Sequence, residues 1–163
     1  MYLATSGASL AIGTVRPEWA ARQVDASDFA GDTWTQVTGL TSLGRISGEW
    51  QTSATTLPDP NDPDNPPIPD HQKAVRPAYT MEVVTAQKDD DAGQMLMLTA
   101  ESGIDPYSFQ ITLANGSSRR FIAHVMSASQ VMDEAHTVVS WSFGLLLQSN
   151  IERAACPTAK HRP

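Results

Sequence analysis

The chain has 163 residues, of which 40% are hydrophobic and 18% are charged. This composition is typical of one globular domain with its own core and excludes the disordered class. The formal net charge of −7 argues against a dedicated nucleic-acid binder, which would cluster lysine and arginine.

The cysteine content and the length of the apolar runs exclude further classes of protein. The single cysteine, Cys156, excludes an intramolecular disulfide and a multi-cysteine zinc site. No basic residue precedes Arg16, and no apolar run approaches the roughly 20 residues of a membrane span. We therefore expect a soluble protein that is made in the cytoplasm and does not insert into a membrane.

The N-terminal third carries weak local signals. Residues 1–15 are small and punctuated by glycine, which predicts an arm leading into a short strand. Residues 39–44 (Gly-Leu-Thr-Ser-Leu-Gly) indicate a turn. A strand is predicted over about 45–52, including Trp50.

Residues 57–78 differ sharply from their surroundings, because seven of the eleven prolines fall there. Proline lacks a backbone donor and restrains its predecessor, so the pattern predicts a long loop without helix or central strand. Loops longer than about 12–15 residues are usually functional or disordered. The acidic run from Asp59 also invites a calcium-loop interpretation. It fails on spacing, since Asp64 stands where glycine is needed and Asp70 replaces the closing glutamate.

The next segment predicts a strand over 79–85 and then one helix. Asp89, Asp90 and Asp91 precede an apolar-periodic run that ends before Gly103. Aspartates at a helix start accept the unpaired amide protons, so helix capping is favoured over a metal site formed by these three carboxylates.

Three strands complete the pattern. Residues 107–113, 121–127 and 137–147 alternate apolar and polar side chains, and the first two are joined by an Asn-Gly turn at Asn115. They predict a meander that the helix covers. The expected core and fold residues are Trp50, Met95, Leu96, Phe109, Ile111, Phe121, Val125, Val139, Trp141 and Phe143.

The remaining residues give no positive sign of an enzyme. The four histidines lie far apart, and no nucleophile elbow, phosphate-binding loop or dinucleotide fingerprint occurs. We expect no catalytic residue, no metal and no cofactor. Residues 151–163 are expected to form a polar C-terminal tail that follows a domain spanning 1–150.

The order of these elements resembles the tail tube (major tail) proteins of long-tailed bacteriophages over about residues 3–150. The matching pieces are 39–44, 90–94 (Asp-Asp-Ala-Gly-Gln), 107–111 (Tyr-Ser-Phe-Gln-Ile), 120–125 and 138–146. The Pro- and Asp-rich character of 58–70 departs from that pattern.

The resemblance implies a mainly β (α+β) fold, a β-sandwich with one flanking α-helix. Six copies would form a ring, rings would stack, and the joined sheets would line a lumen through which DNA passes without specific binding. The implied partners are further copies of this chain and the tail tip, tape-measure and tail terminator proteins, within the virion tail. We also expect the long loop to mediate contact between rings through Leu57, Asp59, Asn61, Asp62, Asp64, Ile68 and Asp70.

Two alternatives stay open at this point. Tube-forming secretion proteins share the implied fold. A monomeric β-sandwich binding module would need an exposed aromatic cluster, which the scattered residues Trp19, Trp34, Trp50 and Trp141 are able to supply.

Overall fold

The computed structural model describes residues 4–56, 60–65, 67, 69–75, 78–132, 135 and 137–155. Within them lie one α-helix, α1 (Ala92–Ser102), and a short 3-10 helix at Ala26–Phe29. The strands are β1 (Ser9–Val15), β2 (Thr35–Val37), β3 (Leu40–Ser42), β4 (Gln51–Thr55), β5 (Asp70–Val75), β6 (Thr80–Ala86), β7 (Tyr107–Thr112), β8 (Ser118–Val131), β9 (Ser140–Leu147) and β10 (Glu152–Ala154). The predicted mainly β fold with one flanking helix is confirmed.

Eight of the strands form one antiparallel sheet in the order β2-β1-β7-β8-β9-β6-β3, with β10 added beside β8. The predicted meander is present as β7, β8 and β9. Strands β4 and β5 form a separate two-stranded sheet.

The sheet has two halves, one formed by β2, β1 and β7 and the other by β9, β6 and β3. The long strand β8 belongs to both. Its first residues pair with β7, which stops at the Tyr107–Ala123 pair, and its later residues pair with β9. The register shifts between Val125 and Ser127. A bulge bends a strand and increases its twist, and this lets β8 pass from one half to the other.

The core lies where the two halves fold over each other beneath α1. Buried side chains of β1, β2 and β7 join those of β6, β8 and β9 in one cluster, with Met97 and Ala100 contributed by the helix. Phe109 stacks on Phe121 with ring centroids 5.8 Å apart. Of the expected core residues, those in this cluster are Phe109, Ile111, Phe121, Val125 and Phe143.

The other expected core residues lie nearer the surface. Trp141 and Leu96 are half-buried and pack against the cluster, and Val139 is half-buried. Trp50 is 45% exposed and Met95 is 54% exposed, so neither belongs to the core. For Met95 the reason is helical phase: Met97 and Ala100 face the sheet, which turns residue 95 outward.

Four local predictions differ from the structure. The predicted turn at 39–44 contains β3, which pairs with β6. The predicted strand at 45–52 is reduced to one bridge at Ser47, and β4 starts only at Gln51. The loop over 57–78 contains β5, since no proline falls within Asp70–Val75. The predicted polar tail begins with β10.

A second, smaller cluster covers the outer face of β8. Val24 and Phe29 bury Ile122, with Trp19 and Trp34 packed beside them. The 3-10 helix at Ala26–Phe29, which supplies Phe29 to this cluster, is capped by Asp25. No helix among the described residues has the length and apolar content to cross a bilayer.

Candidate assembly surface

Two of the short segments that carry the family resemblance meet at the N-terminus of α1. Gln94 is 1% exposed, and its amide donates to the carbonyls of Thr38 and Ala86, each at 2.8 Å. Its side-chain oxygen accepts from the amide of Lys88 at 3.0 Å. One buried side chain thereby fixes the β2–β3 turn, the end of β6 and the helix relative to one another.

Asp91 caps the same helix. Its carboxylate accepts from the Gln94 amide at 2.9 Å and from the Thr38 hydroxyl at 2.6 Å. Burial raises the pKa of Asp91, but the hydrogen bonds from Thr38 and Gln94 outweigh burial and lower that pKa below its ordinary value of 3.8. Helix capping therefore accounts for this aspartate, as predicted.

The hairpin of β4 and β5 projects from the folded body. Every residue of both strands is exposed. At its base Lys73 lies with its Nζ 5.5 Å from the centroid of the Trp50 ring. An isolated two-stranded hairpin is marginally stable at best, so this element gains most from contact with another molecule.

Four of the seven residues expected to contact a second ring are described by the structure. Asn61 and Asp64 are exposed and Asp62 is half-buried in a turn closed by Asn65. Asp70 opens β5 opposite Thr55. The remaining three, Leu57, Asp59 and Ile68, lie outside the described residues.

The later half of β8 forms an open sheet edge. Beyond Ala123 it pairs with β9 on one side, and the described residues include no strand pairing on the other. Met126 stands at the bulge and is 61% exposed. It lines an open groove of about 520 Å³ together with Gly44, Leu146 and Glu82. Unpaired edges and exposed apolar side chains favour pairing with another chain.

The outward face of β6, β9 and the later half of β8 is rich in hydroxyl groups and also holds apolar side chains. Its residues include Thr80, Glu82, Ser127, Ser129, Ser140, Ser142 and Gly144, with Val84, Val131 and Leu146 among them. Glu82 accepts a hydrogen bond from Ser142. Neither lysine nor arginine occurs in β6, in β9 or at residues 124–131.

No chemical centre emerges from the described part of the chain. It contains no group of three His, Cys, Asp or Glu side chains able to hold a metal ion. His71 lies on β5 and His124 on β8, which belong to different sheets. His136 and His161 lie outside the described residues.

Sequence reasoning missed three charged pairs, two within the segment between β1 and β2 and one between β8 and β10. Arg16 pairs with Asp32 at 2.7 Å, and Arg120 pairs with Glu152 at 2.8 Å. Arg22 and Asp28 also pair, and the hydrogen bond from Arg22 lowers the pKa of Asp28 to about 2. The adjacent opposite charges of Glu152 and Arg153 were the available signal, but a three-residue strand gives no periodicity to detect.

Comparison with known proteins identifies the fold. The chain matches no family model and no curated protein sequence. It is similar to the SPP1 tail tube, with 14% identity and a TM-score of 0.54, over 93% of this chain and 78% of that one. It is also similar to the tail of an empty gene transfer agent particle with C6 symmetry. The identity is 15% and the TM-score 0.56, over 90% of this chain and 96% of that one.

A third similar structure comes from an extracellular contractile injection system, PVC. Its sheath/tube terminator shares 7% identity and a TM-score of 0.62, over 95% of this chain and 98% of that one. At such identities the shared property is the fold. The chain has the fold of tail tube proteins over most of its length.

Proposed function

We propose that this protein is the structural subunit of a phage tail tube, assembled as stacked rings of six copies around a lumen that DNA traverses. The observation that carries the proposal is the tail-tube fold over at least nine-tenths of the chain in the three similar structures above. The C6 symmetry of the gene transfer agent tail supports the six-copy ring.

The open edges of the sheet support self-association. The half of the sheet that contains β9, β6 and β3 has two edges. One edge is the later half of β8, and the other is the three-residue strand β3. Joining these edges between neighbouring copies removes both and closes the sheets into a barrel.

The hydroxyl-rich face of β6, β8 and β9 suits the wall of such a lumen. Affinity for DNA phosphates comes from lysine and arginine, which these strand segments lack. The face offers DNA hydroxyl groups and Glu82, and Arg45 lies in the adjoining Met126 groove. With so few cations in this proposal, DNA is able to slide past the wall without being held.

The exposed β4–β5 hairpin suits contact between successive rings. Its aspartates and their turn project away from the subunit's own core, and ordering a short hairpin on a partner costs less than ordering a free loop. In this proposal Asn61, Asp62, Asp64 and Asp70, with Leu57, Asp59 and Ile68, mediate the ring-to-ring contact.

The subunit would reside in the virion tail after synthesis in the host cytoplasm. Its partners would be further copies of itself, the tail tip, the tape-measure protein and the tail terminator. The role is one of packing and needs neither a catalytic residue nor a cofactor.

A tube-forming role in an injection or secretion system is the second candidate. The similarity to the PVC sheath/tube terminator favours it. The two functions differ in what the subunit builds: a long continuous tube in one, and single rings or short stacks in the other.

Electron microscopy of purified protein over a concentration series tests both functions, with sedimentation velocity on the same samples. We expect a monomer or weak oligomer when dilute and long hollow tubes when concentrated or seeded with tail tips. Short stacks would favour the injection-system role. A compact monomer at every concentration, even with seeds, would overturn both and favour a monomeric binding module.

A further inference from the structure

Two arginines face each other across β8 and β10, and among the described residues neither forms an ion pair. Arg119 of β8 pairs in register with Arg153 of β10, so their side chains share one face of the sheet. Like charges directly opposite each other destabilise a strand pair. The neighbouring register position carries Arg120 and Glu152, which form an ion pair on the other face.

Neither of these two guanidinium groups is neutralised within the described part of the chain. Arg119 donates to the backbone carbonyl of Ser118 at 3.0 Å, and no ion pair there includes Arg119 or Arg153. Arg120 is not a free cation, because its Nε lies 2.8 Å from Oε2 of Glu152 and forms an ion pair with that carboxylate.

Position keeps the pair available to another molecule. Arg119 is half-buried and lies opposite the buried Ile111, and an arginine in such a position commonly keeps its charged end in water. Arg153 is exposed. Two adjacent cations on a protein with net charge −7 form a local site for an anionic group.

The same chain carries a matching acidic turn. Asp62 accepts from Asn65, Asp64 is exposed, and no ion pair among the described residues includes either carboxylate. Every residue of β4 and β5, the strands between which this turn falls in the chain, is exposed.

We propose that Arg119 and Arg153 of one subunit receive the Asp62–Asp64 turn of another copy of this chain. The inference rests on the proposed tube function and names the surface that the hairpin contacts. A bidentate guanidinium–carboxylate pair is the strongest type of ion pair and fixes orientation as well as attraction. Assembly then relieves the repulsion between Arg119 of β8 and Arg153 of β10.

Charge reversal with a matched control tests the pairing. Arg153→Glu and, separately, Asp64→Lys should each raise the protein concentration needed for tube formation by about tenfold. Lys88→Glu changes the net charge by the same amount as Arg153→Glu at an exposed position outside both surfaces, and it should change that concentration by less than about twofold.

The double variant Arg153→Glu/Asp64→Lys restores the attraction with reversed sign. We expect it to assemble within about twofold of the wild type, with both single defects suppressed. If the single variants assemble like Lys88→Glu, or if the double variant fails to recover, the pairing is wrong. Thermal unfolding of each variant shows whether the subunit is still folded, and Asp64→Lys lies on an exposed turn where it does not affect folding.

A cross-link gives an independent test. In a Cys156→Ser background, Arg153→Cys protein is mixed with Asp64→Cys protein and treated before and after assembly with a bifunctional maleimide, whose spacer takes up the length of the lost arginine side chain. A cross-linked heterodimer that forms only in tubes supports the proposal, and its absence from well-formed tubes overturns it. Tubes that form normally from Arg153→Glu but lose bound double-stranded DNA would assign the arginines to phosphate instead.

These outcomes separate the inference from the function on which it rests. A wild-type protein that forms no tubes overturns the proposed function itself. Tubes that ignore both charge reversals overturn only the pairing of the arginines with the acidic turn.

Discussion

At Gly93 the first turn of α1 passes directly over β2. A Cβ atom built on this glycine would lie 2.1 Å from the carbonyl oxygen of Gln36 and 2.7 Å from the Cα of Val37. Both are backbone atoms, so the contact cannot be relieved by rotating a side chain. The close approach is what lets Gln94 reach the β2–β3 turn.

Gly93→Ala should therefore destabilise the subunit by about 1–3 kcal/mol, the usual cost of overpacking. Gly31→Ala is the matched control, because a Cβ there would meet nothing within 4 Å. We expect it to change the free energy of unfolding by less than about 0.5 kcal/mol. Denaturant titration of both variants checks this, and equal stabilities would contradict the close approach.

Asp91→Ala should cost about 1 kcal/mol through loss of the helix cap, whereas Asp90→Ala should cost little. The sign of the pH effect follows from the lowered pKa of Asp91 in the folded state. Its contribution is fully present above about pH 4, its unfolded range, and is lost as the pH falls through the lowered value. Denaturant titration from pH 7 to pH 2 measures it.

The difference in stability between wild type and Asp91→Ala should accordingly shrink below about pH 4. A difference that stayed constant to pH 2 would show that the carboxylate charge is not involved. If a chelator lowered the stability of the wild type by the same amount, a metal role for the acidic run would replace capping.

At the scale of whole elements, the β4–β5 hairpin is the part that the fold does not need. All its residues are exposed and its strands pair chiefly with each other, so its removal leaves the core cluster intact. The free energy of unfolding depends weakly on loop length, since each doubling of the length costs only about 0.6 kcal/mol.

Replacing residues 58–70 by a short Gly-Ser linker should leave the free energy of unfolding within about 1 kcal/mol of the wild type while abolishing long tubes. A linker that replaces only 58–69 retains Asp70 in β5 and separates the turn from the strand. Thermal unfolding and electron microscopy of the same preparations make the comparison. Normal tubes from both deletions would remove residues 58–70 from the assembly mechanism.

For the molecule as a whole, one core joins the two halves of the sheet. Phe143 is fully buried, and its neighbours in the cluster come from both halves and from α1. Phe143→Ala should cost about 3–5 kcal/mol and still unfold in one cooperative transition. Calorimetry tests both statements, since two separate transitions would mean that the halves are independent.

Trp141→Ala should cost less than Phe143→Ala, because Trp141 is half-buried where it stacks on that ring at 6.1 Å. Trp50→Ala provides the exposed comparison, with an expected cost below about 1 kcal/mol. Equal costs for all three aromatic substitutions would contradict the described core.

The sequence predicted those parts of the fold whose signal is local and repeated. Strands β6, β7 and β9 alternate over six to eight residues, and α1 has a capping aspartate and a helical stripe. Strands β3 and β10 have three residues each, too few to show a period, and are defined by the neighbours they pair with. Burial of Trp50 was wrongly expected because an aromatic residue in a short apolar pattern gives no sign of which side of the molecule it occupies.

The candidate assembly surface was predictable only in part. Composition alone singled out the acidic, proline-rich segment that holds Asp62 and Asp64. The Arg119–Arg153 opposition depends on the register between strands more than thirty residues apart in the chain, and no local pattern encodes that register.

The pairing of β1 with β7 has a consequence for how the protein is made. Ser9 lies opposite Thr112, so β1 meets this partner strand about a hundred residues later in the chain. At about 5–20 residues per second, that interval is about 5–20 seconds of synthesis. During it β1 has only the three-residue strand β2 beside it, and its other edge stays unpaired. Completion of the sheet thus waits for the C-terminal half of the chain.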